Sequence, residues 1–596
     1  MSQKKYCLAA TALTEFWDTS LPLVILGDWC IQENQNRLHE IEYYVLPNPY
    51  KNQPGVDELH AYFNDIEMRL LPLFVDMLND MHQESRTEIY WGYVLNSWMK
   101  HFLMICYDRY LYLREAREGW GDLILYGVPF SDNFIPIDTL DFIKLAWTDL
   151  FNHILFTEFA QLMNINTIFT NTISYKKPVS QKKTHISFKN IIRYKSYYYY
   201  CRGRTIQKRF IHGVPEIYIY SSSFDSEFKS KLFRKNPDIG EILMIPGLSP
   251  EYNMIKDNKR DLIKEKLARN FRASNEYEKI LVQLLPHYIP SCYLENYQDL
   301  KRFTHTWFNM KKTPKAIFTS YGFWFDEPYK MWAGHHAEQG SCILHAEHST
   351  NGVIKYGGWY IEKERCNACY TWGWNDPEEK KVIPKSAPLF IKKEKMNACN
   401  SKIPILFVLT LPSRYVIRLG DPVIHSEEYT KRQLEFLSEF PKELLDSVIV
   451  RHYPNSFGSD TCKNNILAEF PDLSFDNWEL PFKEQLKRCR IFVSDHLSTT
   501  YLEALNANKP TILISDPTSE ICRDTAKPYL DLLIESGILF YSPKEAARAL
   551  VKAYPDVEMW WNEPKRQDAV QKFCRTFLYV SDDPVREWSE EFRKYL

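Results

Sequence analysis

The most chemically suggestive stretch of the chain is a hydroxyl-rich turn between an apolar strand and a helix. Ile491–Ser494 has the composition of a buried strand, and a helical stretch begins near Thr500, with Ser498 and Thr499 just before it. The first N–H groups of a helix are unpaired and carry the positive end of its dipole, so they attract anions. We expect these three hydroxyl residues to bind a phosphate, and ordinary helix capping is the alternative.

Two further strand ends carry basic residues. Arg451 and His452 follow the apolar run Val448–Val450, and Arg414 follows the run that ends at Thr410. Arg and His donate charge-assisted hydrogen bonds to phosphate, and ligands of open parallel sheets bind beyond the carboxyl ends of strands. A structural role is the alternative for each. The predicted donor-binding residues are Arg414, Arg451, His452, Asp495, Ser498, Thr499, Thr500 and Glu503.

The same rule selects loops in the N-terminal half of the chain. They are Thr11–Phe16, Gly27–Cys30, Ser320–Trp324 and Glu347–Gly352. A carboxylate or a histidine can take the proton from an attacking hydroxyl group. The predicted catalytic residues are therefore Asp28, Glu15 and His348, and structural hydrogen bonding is the alternative for each of them.

The elements that must position these residues alternate between strand and helix. Such alternation is typical of α/β proteins with Rossmann-type parallel sheets, and 596 residues are too many for one core. We expect three parts: an N-terminal acceptor domain, 1–395, with a helical insertion at about 56–117 and a basic loop region at about 176–210; a C-terminal donor domain, 400–555; and a helical segment, 556–596, that packs back on the N-terminal domain. Ala387–Pro404 is the expected linker.

Composition and charge argue against several classes of protein. The net charge is −2 and the 13 cysteines form no framework, which favours a reduced, cytoplasmic protein without a nucleic-acid partner. The sequence has no signal peptide and no apolar run long enough to span a membrane. Lys176–Phe210 carries many basic residues and no acid, so it is either a solvated loop or a peripheral contact with anionic lipid or polysaccharide. A lone CxxC, Cys366 and Cys369, predicts no metal site.

Several motifs resemble a family of bacterial transferases found with surface-polysaccharide and nonulosonic-acid genes. They are TALTEFWD, LVILGDWC, AIFTSYGFWFDEPYKMWAGHHAEQG and SDHLSTTYLEALNANKPTIL, and the match runs nearly end to end. Where the family tends to read QHGG-x-YG, this chain has Glu347 for Gln and Ser349 and Thr350 for the two glycines. The resemblance implies the GT-B architecture, in which two Rossmann-type domains face a cleft, with the donor site in the C-terminal domain.

The resemblance also implies a chemistry. HYP and LSTT look like motifs of bacterial sialyl- and Kdo-transferases, which hold CMP-sugars, and LSTT is similar to CDP-glycerol polymerases of teichoic acid synthesis. We expect a metal-independent glycosyltransferase that uses a nucleotide-activated sugar, a CMP-linked nonulosonic or Kdo-type acid, and a polysaccharide or lipid-linked acceptor, with no other cofactor. The alternatives are a CDP-polyol phosphotransferase and a non-catalytic polysaccharide assembly protein.

Overall fold

The structure is a computed structural model of the chain. It describes residues 4–31, 34–169, 214–242, 249–252, 258–308, 310–355, 357–391, 403–410, 413–420, 426–453 and 461–596. The basic stretch Lys176–Phe210 and most of the expected linker, 392–402, lie outside the described residues.

The strands form parallel sheets. They are β1 Lys5–Ala9, β2 Leu23–Ile25, β3 Tyr43–Val45, β4 Asp122–Gly127, β5 Asn166–Phe169, β6 Ile217–Tyr220, β7 Ile239–Ile242, β8 Ala316–Thr319, β9 Cys342–Ala346, β10 Ala368–Thr371, β11 Val382–Pro384, β12 Ile403–Val408, β13 Val448–Arg451, β14 Ser474–Phe475, β15 Cys489–Ser494, β16 Thr511–Ile514 and β17 Leu539–Phe540. Most residues of these strands are apolar and buried, because helices cover both faces of a parallel sheet.

The helices in the N-terminal part are α1 Gln35–Leu38, α2 Val56–His82, α3 Glu88–Gly119, α4 Thr139–Ala146, α5 Asp149–Leu162, α6 Ser226–Lys235, α7 Lys259–Asn270, α8 Glu276–Tyr288, α9 Tyr297–Trp307, α10 Gly322–Phe325, α11 Glu327–Ala337 and α12 Gly357–Glu364. The remaining helices are α13 Ser426–Ser438, α14 Lys442–Leu445, α15 Thr461–Glu469, α16 Phe482–Arg488, α17 Thr499–Asn506, α18 Lys527–Glu535, α19 Pro543–Ala553, α20 Val557–Trp561, α21 Pro564–Phe577 and α22 Pro584–Arg593. The helical insertion expected at about 56–117 is present as α2 and α3.

The chain divides into two compact units. The first contains Met1–Ala346, Tyr360–Ala368 and Ser589–Leu596, and the second contains Glu347–Trp359 and Cys369–Trp588. The last residues of the helical segment 556–596 thus belong to the first unit. The loop Glu347–Gly352, which the sequence placed in the N-terminal domain, belongs to the second.

The first unit contains two sets of parallel strands. One sheet has the order β3-β2-β1-β4-β5, and the other set has the order β9-β8-β6-β7. The second unit contains the parallel pair β10 and β11 and a six-stranded sheet with the order β14-β13-β12-β15-β16-β17, which we call the donor-side sheet. One parallel sheet was expected in each of two domains. The N-terminal half instead contains two sets of parallel strands. The first 170 residues complete a sheet of their own.

The core of the donor-side sheet is aliphatic and aromatic. Phe407 and Val450 lie on its strands, while Phe436 and Leu550 come from α13 and α19, and all four are buried. Burying apolar area of this kind contributes about 25 cal/mol per Å². This rigid base carries the strand ends described below. In the described ranges of the chain, no helix combines the length and the apolar character that crossing a bilayer requires.

Candidate functional site

The donor-side sheet has a topological switch point between β12 and β15. Read in chain order, its six strands are arranged 3-2-1-4-5-6, with β12 as strand 1 and β15 as strand 4. The connections from these two neighbours lead in opposite directions, so a crevice opens at their carboxyl ends, where doubly wound sheets bind ligands. Thr410 follows β12 and Asp495 follows β15. The hydroxyl-rich turn predicted from the sequence, Ser498–Thr500, therefore lies beside this crevice, and we call it the hydroxyl turn.

Asp495 links the two strands at the crevice. Its Oδ1 accepts the backbone N–H of Thr410 at 3.1 Å and lies 2.7 Å from Nδ1 of His496. Its Oδ2 accepts the hydroxyl of Tyr429 at 2.5 Å and the side-chain amide of Gln433 at 2.7 Å. The Asp495 side chain is only 6% exposed, and its oxygens are occupied by protein donors. Asp495 therefore positions the turn, and its predicted contact with the donor stays a prediction.

The hydroxyl turn leads directly into α17. Ser498 is the N-cap residue, with an extended backbone (φ −105°, ψ −168°), and its side chain makes no capping hydrogen bond within this described segment. The hydroxyl oxygen of Thr500 is buried and has no hydrogen-bond partner among the described residues. Leaving a buried hydroxyl unsatisfied costs about 1–3 kcal/mol. Ser498 thus makes no capping bond, and the Thr500 hydroxyl has no partner in the described part of the fold.

Glu520 supports the turn from below. Its Oε1 accepts the backbone N–H of Leu497 at 2.7 Å, and its Oε2 accepts the hydroxyl of Ser515 at 2.5 Å. Burial raises the pKa of Glu520 to about 7, although these two hydrogen bonds oppose the shift. The sequence analysis missed Glu520. The signal available was an acidic residue in the loop after β16, another strand of the same sheet.

A small cavity lies next to Asp495 and Glu520. Glu520, Asp495 and Arg432 help to line a cavity of about 10 Å³, together with Phe407, Tyr429, Gln433, Ile514 and Asp516. A cavity of this size holds about one water molecule.

The loop Glu347–Gly352 contacts the hydroxyl turn. Thr350 donates its hydroxyl to the carbonyl of Leu497 at 3.2 Å. The Glu347 carboxylate holds the loop, because it accepts the backbone N–H groups of Trp372 (2.9 Å) and Gly352 (3.3 Å) and the indole N–H of Trp374 (2.8 Å). A side chain at position 352 would collide with that indole, since an added Cβ would lie 2.4 Å from it.

His348 lies within the Glu347–Gly352 loop and is half-buried. Its predicted role as a general base is not tested by this placement. The loop belongs to the second unit, so His348 shares that unit with the hydroxyl turn and not with Asp28 or Glu15.

Arg451 is held in a structural ion pair. Its guanidinium donates to the Asp476 carboxylate and lies 3.9 Å from the ring centroid of Trp478. Asp476 also accepts the side-chain amide of Gln485 at 2.8 Å. Both charged residues are buried, and an isolated charge there would be costly. Arg451 thus has a structural ion pair, and its predicted contact with a donor phosphate stays a prediction.

His452 does not leave the strand next to the hydroxyl turn. It follows β13, and β12 separates β13 from β15. Neighbouring strands are about 4.8 Å apart, so the two strand ends are roughly 10 Å apart. His452 and Ser498 therefore do not follow neighbouring strands, because strand order in space differs from order along the chain. The His452 ring instead packs edge-on to Phe475 and Trp478.

Two further residues, Arg414 and Glu503, were predicted to bind the donor. Arg414 lies in the segment after β12, on the same edge of the sheet as the hydroxyl turn, and is half-buried. Glu503 lies one turn inside α17, and burial raises its pKa. Their predicted donor contacts stay predictions.

The β3-β2-β1-β4-β5 sheet also has a switch point, between β1 and β4, but protein side chains fill it. The ring nitrogens of His153 lie 3.1 Å from the hydroxyl of Thr11 and 2.9 Å from the carbonyl of Tyr126. Phe16 stacks on the same ring at 4.1 Å. Burial lowers the pKa of His153 to about 4, so the imidazole is neutral at pH 7. This crevice is therefore a packed junction.

Asp28 and Glu15 lie at the same edge of this sheet. Glu15 is exposed after β1, Asp28 is half-buried after β2, and the two strands pair in parallel. Their loops are joined, since the Trp29 indole donates to the Ala10 carbonyl at 3.0 Å and the Asn34 amide donates to the Ala12 carbonyl at 3.1 Å. The structure thus brings the two predicted bases into neighbouring loops. Their catalytic roles stay predictions.

The described residues contain no group of three His, Cys, Asp or Glu side chains placed to hold a metal ion. Of the CxxC pair, Cys366 lies with its thiol 3.3 Å from the Lys363 carbonyl, and Cys369 is buried on β10. Metal independence stays a prediction.

Comparisons with known proteins give one family. No curated protein matches the chain. Solved structures match at low scores: pneumococcal O-GlcNAc transferase GtfA (10% identity, 50% of this chain and 60% of that one, TM-score 0.32) and Acinetobacter baumannii MurG (10%, 63% and 99%, 0.31). A trehalose-phosphate synthase from Burkholderia vietnamiensis matches similarly (10%, 63% and 98%, 0.31). No assignment depends on these scores. The family model for LIC12162 family transferase matches residues 6–592, so the chain belongs to this transferase family.

Proposed function

We propose that the chain is a GT-B-type glycosyltransferase that takes a sugar from a nucleotide donor bound to the second unit. Membership of a transferase family establishes group transfer as the reaction type. The single observation that carries the donor assignment is the hydroxyl turn at the switch point, where the buried hydroxyl of Thr500 has no hydrogen-bond partner among the described residues. Helix N–H groups and hydroxyls together match the oxygens of a phosphate.

The donor phosphate would lie above Ser498, Thr499 and Thr500. The turn is held in place by three contacts that do not involve the ligand: Asp495 on Thr410, Glu520 on Leu497 and Thr350 on Leu497. Pre-organised donors lose little entropy when an anion binds, which is how a rigid scaffold turns contacts into affinity. Arg414 is the cation on the same edge of the sheet that would meet a second oxygen.

A CMP-linked nonulosonic or Kdo-type acid is the donor we favour, and a polysaccharide or lipid-linked molecule is the acceptor. The support is the resemblance of the LSTT turn to CMP-sugar transferases. Asp28, with Glu15 as the alternative, would take the proton of the acceptor hydroxyl in the first unit, and His348 is the alternative in the second. We place the reaction in the cytoplasm, with at most a peripheral contact at the inner membrane.

The decisive experiment is calorimetry of the whole chain with CMP, CDP, UDP and GDP, followed by a transfer assay that measures free nucleotide. We expect one nucleotide, CMP first, to bind with a dissociation constant below about 1 mM, which corresponds to roughly 4 kcal/mol. Release of CMP in the presence of an acceptor would support sugar transfer. Release of CMP from a CDP-polyol would favour the phosphotransferase instead. Failure to bind any of the four nucleotides would contradict the proposal and favour a non-catalytic assembly protein.

A further inference from the structure

The backbone of Trp478 adopts a conformation that large side chains rarely adopt. Its φ is +62°, in the left-handed region. Its own N–H donates to Oδ1 of Asp476 at 3.3 Å, which helps to hold the turn in this shape. Residues kept in such regions cluster at ligand-binding sites, where the surrounding structure imposes the conformation. The surrounding structure therefore fixes the position of this indole.

The Trp478 side chain lies at the carboxyl edge of the donor-side sheet. It follows β14, and β14 pairs with β13. The Arg451 guanidinium covers the ring at 3.9 Å from the centroid, and the His452 ring meets it edge-on at 6.3 Å with an interplanar angle of 89°. Even with these contacts, 37% of Trp478 is exposed. The residue thus offers a fixed aromatic surface to solvent, backed by a buried cation.

The spacing between Trp478 and the hydroxyl turn suits an elongated ligand. The Trp478 ring packs against Arg451 and His452 at the end of β13, and β13 is two strand spacings from β15, or roughly 10 Å at about 4.8 Å each. A free phosphate at Ser498 would not reach the ring. A nucleotide covers this gap, because its base can stack on the ring while its phosphate meets the hydroxyl turn.

We propose that Trp478 is the stacking platform for the base of the nucleotide donor. This inference rests on the proposed function, because it assumes a phosphate at the hydroxyl turn. It assigns the β14 end of the sheet to the base and the β15 end to the phosphate. Aromatic side chains stack on every base, so the platform contributes affinity while other groups select the base.

The test compares a nucleotide with its base-free fragment. Wild type, Trp478→Gly and Trp478→Phe are titrated calorimetrically with CMP and with ribose 5-phosphate. Glycine fits the positive φ, so the turn should persist without the indole. Trp478→Gly should weaken CMP binding about 5- to 150-fold and leave ribose 5-phosphate unchanged. Trp478→Phe should restore most of the loss.

Trp560→Ala is the matched control. Trp560 also covers a guanidinium, that of Arg566 at 4.3 Å, but it lies on α20 and not in a loop at the carboxyl edge. This variant should bind CMP like wild type. Equal CMP affinity in wild type and Trp478→Gly would overturn the platform while leaving the phosphate site intact. An equal loss for CMP and ribose 5-phosphate would show a purely structural role. Wild type that binds neither molecule would overturn the proposed function as well.

Discussion

Glu520 accepts the backbone N–H of Leu497 at 2.7 Å, directly before the turn that begins at Ser498. Burial raises the pKa of this carboxyl from 4.5 to about 7. The folded chain therefore holds the Glu520 proton more tightly than the unfolded chain. Consequently this group lowers the free energy of unfolding as pH rises from about 4.5 to about 7, and its contribution is constant above that window.

Glu520→Gln should remove this pH dependence. The amide oxygen can accept from Leu497, and the Ser515 hydroxyl can turn to accept from the amide NH₂. In urea unfolding, the free energy of unfolding of the variant relative to that of wild type should increase by on the order of 2–3 kcal/mol between pH 5 and pH 8. Glu535→Gln, an exposed carboxylate on α18, is the control and should follow wild type. Parallel curves for Glu520→Gln and wild type would refute the assignment.

Ser498 and Ser542 form a matched pair of N-cap residues in the second unit. The Ser542 hydroxyl accepts the N–H of Glu545 at 3.3 Å, whereas the Ser498 side chain has no capping bond in its described surroundings. Ser542→Ala should therefore cost about 1 kcal/mol of stability and leave CMP affinity unchanged. Ser498→Ala should do the reverse, with CMP affinity falling roughly tenfold or more by calorimetry. A loss of stability without a loss of affinity in Ser498→Ala would place the phosphate elsewhere.

Asp28→Asn should slow transfer to the acceptor without weakening binding of the donor nucleotide. If Asp28 takes the proton of the acceptor hydroxyl, its amide variant should bind CMP normally but turn over roughly 10²- to 10⁴-fold more slowly. Glu15→Gln is the companion variant, because Glu15 lies in the joined neighbouring loop. Steady-state release of CMP identifies which carboxylate matters. Full turnover in both variants would exclude this edge of the first unit as the source of the base.

Glu347→Gln tests whether the loop needs a carboxylate. Glu347 accepts three N–H groups, from Trp372, Gly352 and the Trp374 indole. A glutamine has one acceptor oxygen and would direct its NH₂ at another donor, so we expect a loss of about 1–3 kcal/mol in urea unfolding. Glu535→Gln again serves as the exposed control. Unchanged stability would mean that the loop adapts to either side chain.

Activity should survive EDTA. The described residues provide no cluster of three His, Cys, Asp or Glu that would hold a divalent ion. Once a donor and an acceptor are known, the rate of CMP release should be the same with and without an excess of EDTA. Complete loss of activity, restored by Mn²⁺ or Mg²⁺, would place the chain in a different mechanistic class.

Local patterns in the sequence were enough to predict the hydroxyl turn and the strand and helix on either side of it. Strand Ile491–Ser494, the polar loop after it and helix α17 are contiguous in the chain, so composition and capping preferences indicate them without knowledge of the fold. The long helices α2 and α3 were predicted for the same reason, because apolar residues recur with helical spacing.

Only the tertiary structure decided which strand ends meet. It inserted β12 between β13 and β15, which separates His452 from Ser498, although their strands follow one another along the chain with only a short β14 between. It also joined Thr350 to Leu497, 147 residues apart in sequence. Side chains such as Asp495 and Arg451 carry charges that a sequence pattern assigns to a ligand. Whether protein donors or a ligand satisfy such a charge depends on long-range packing, and no local pattern encodes that packing.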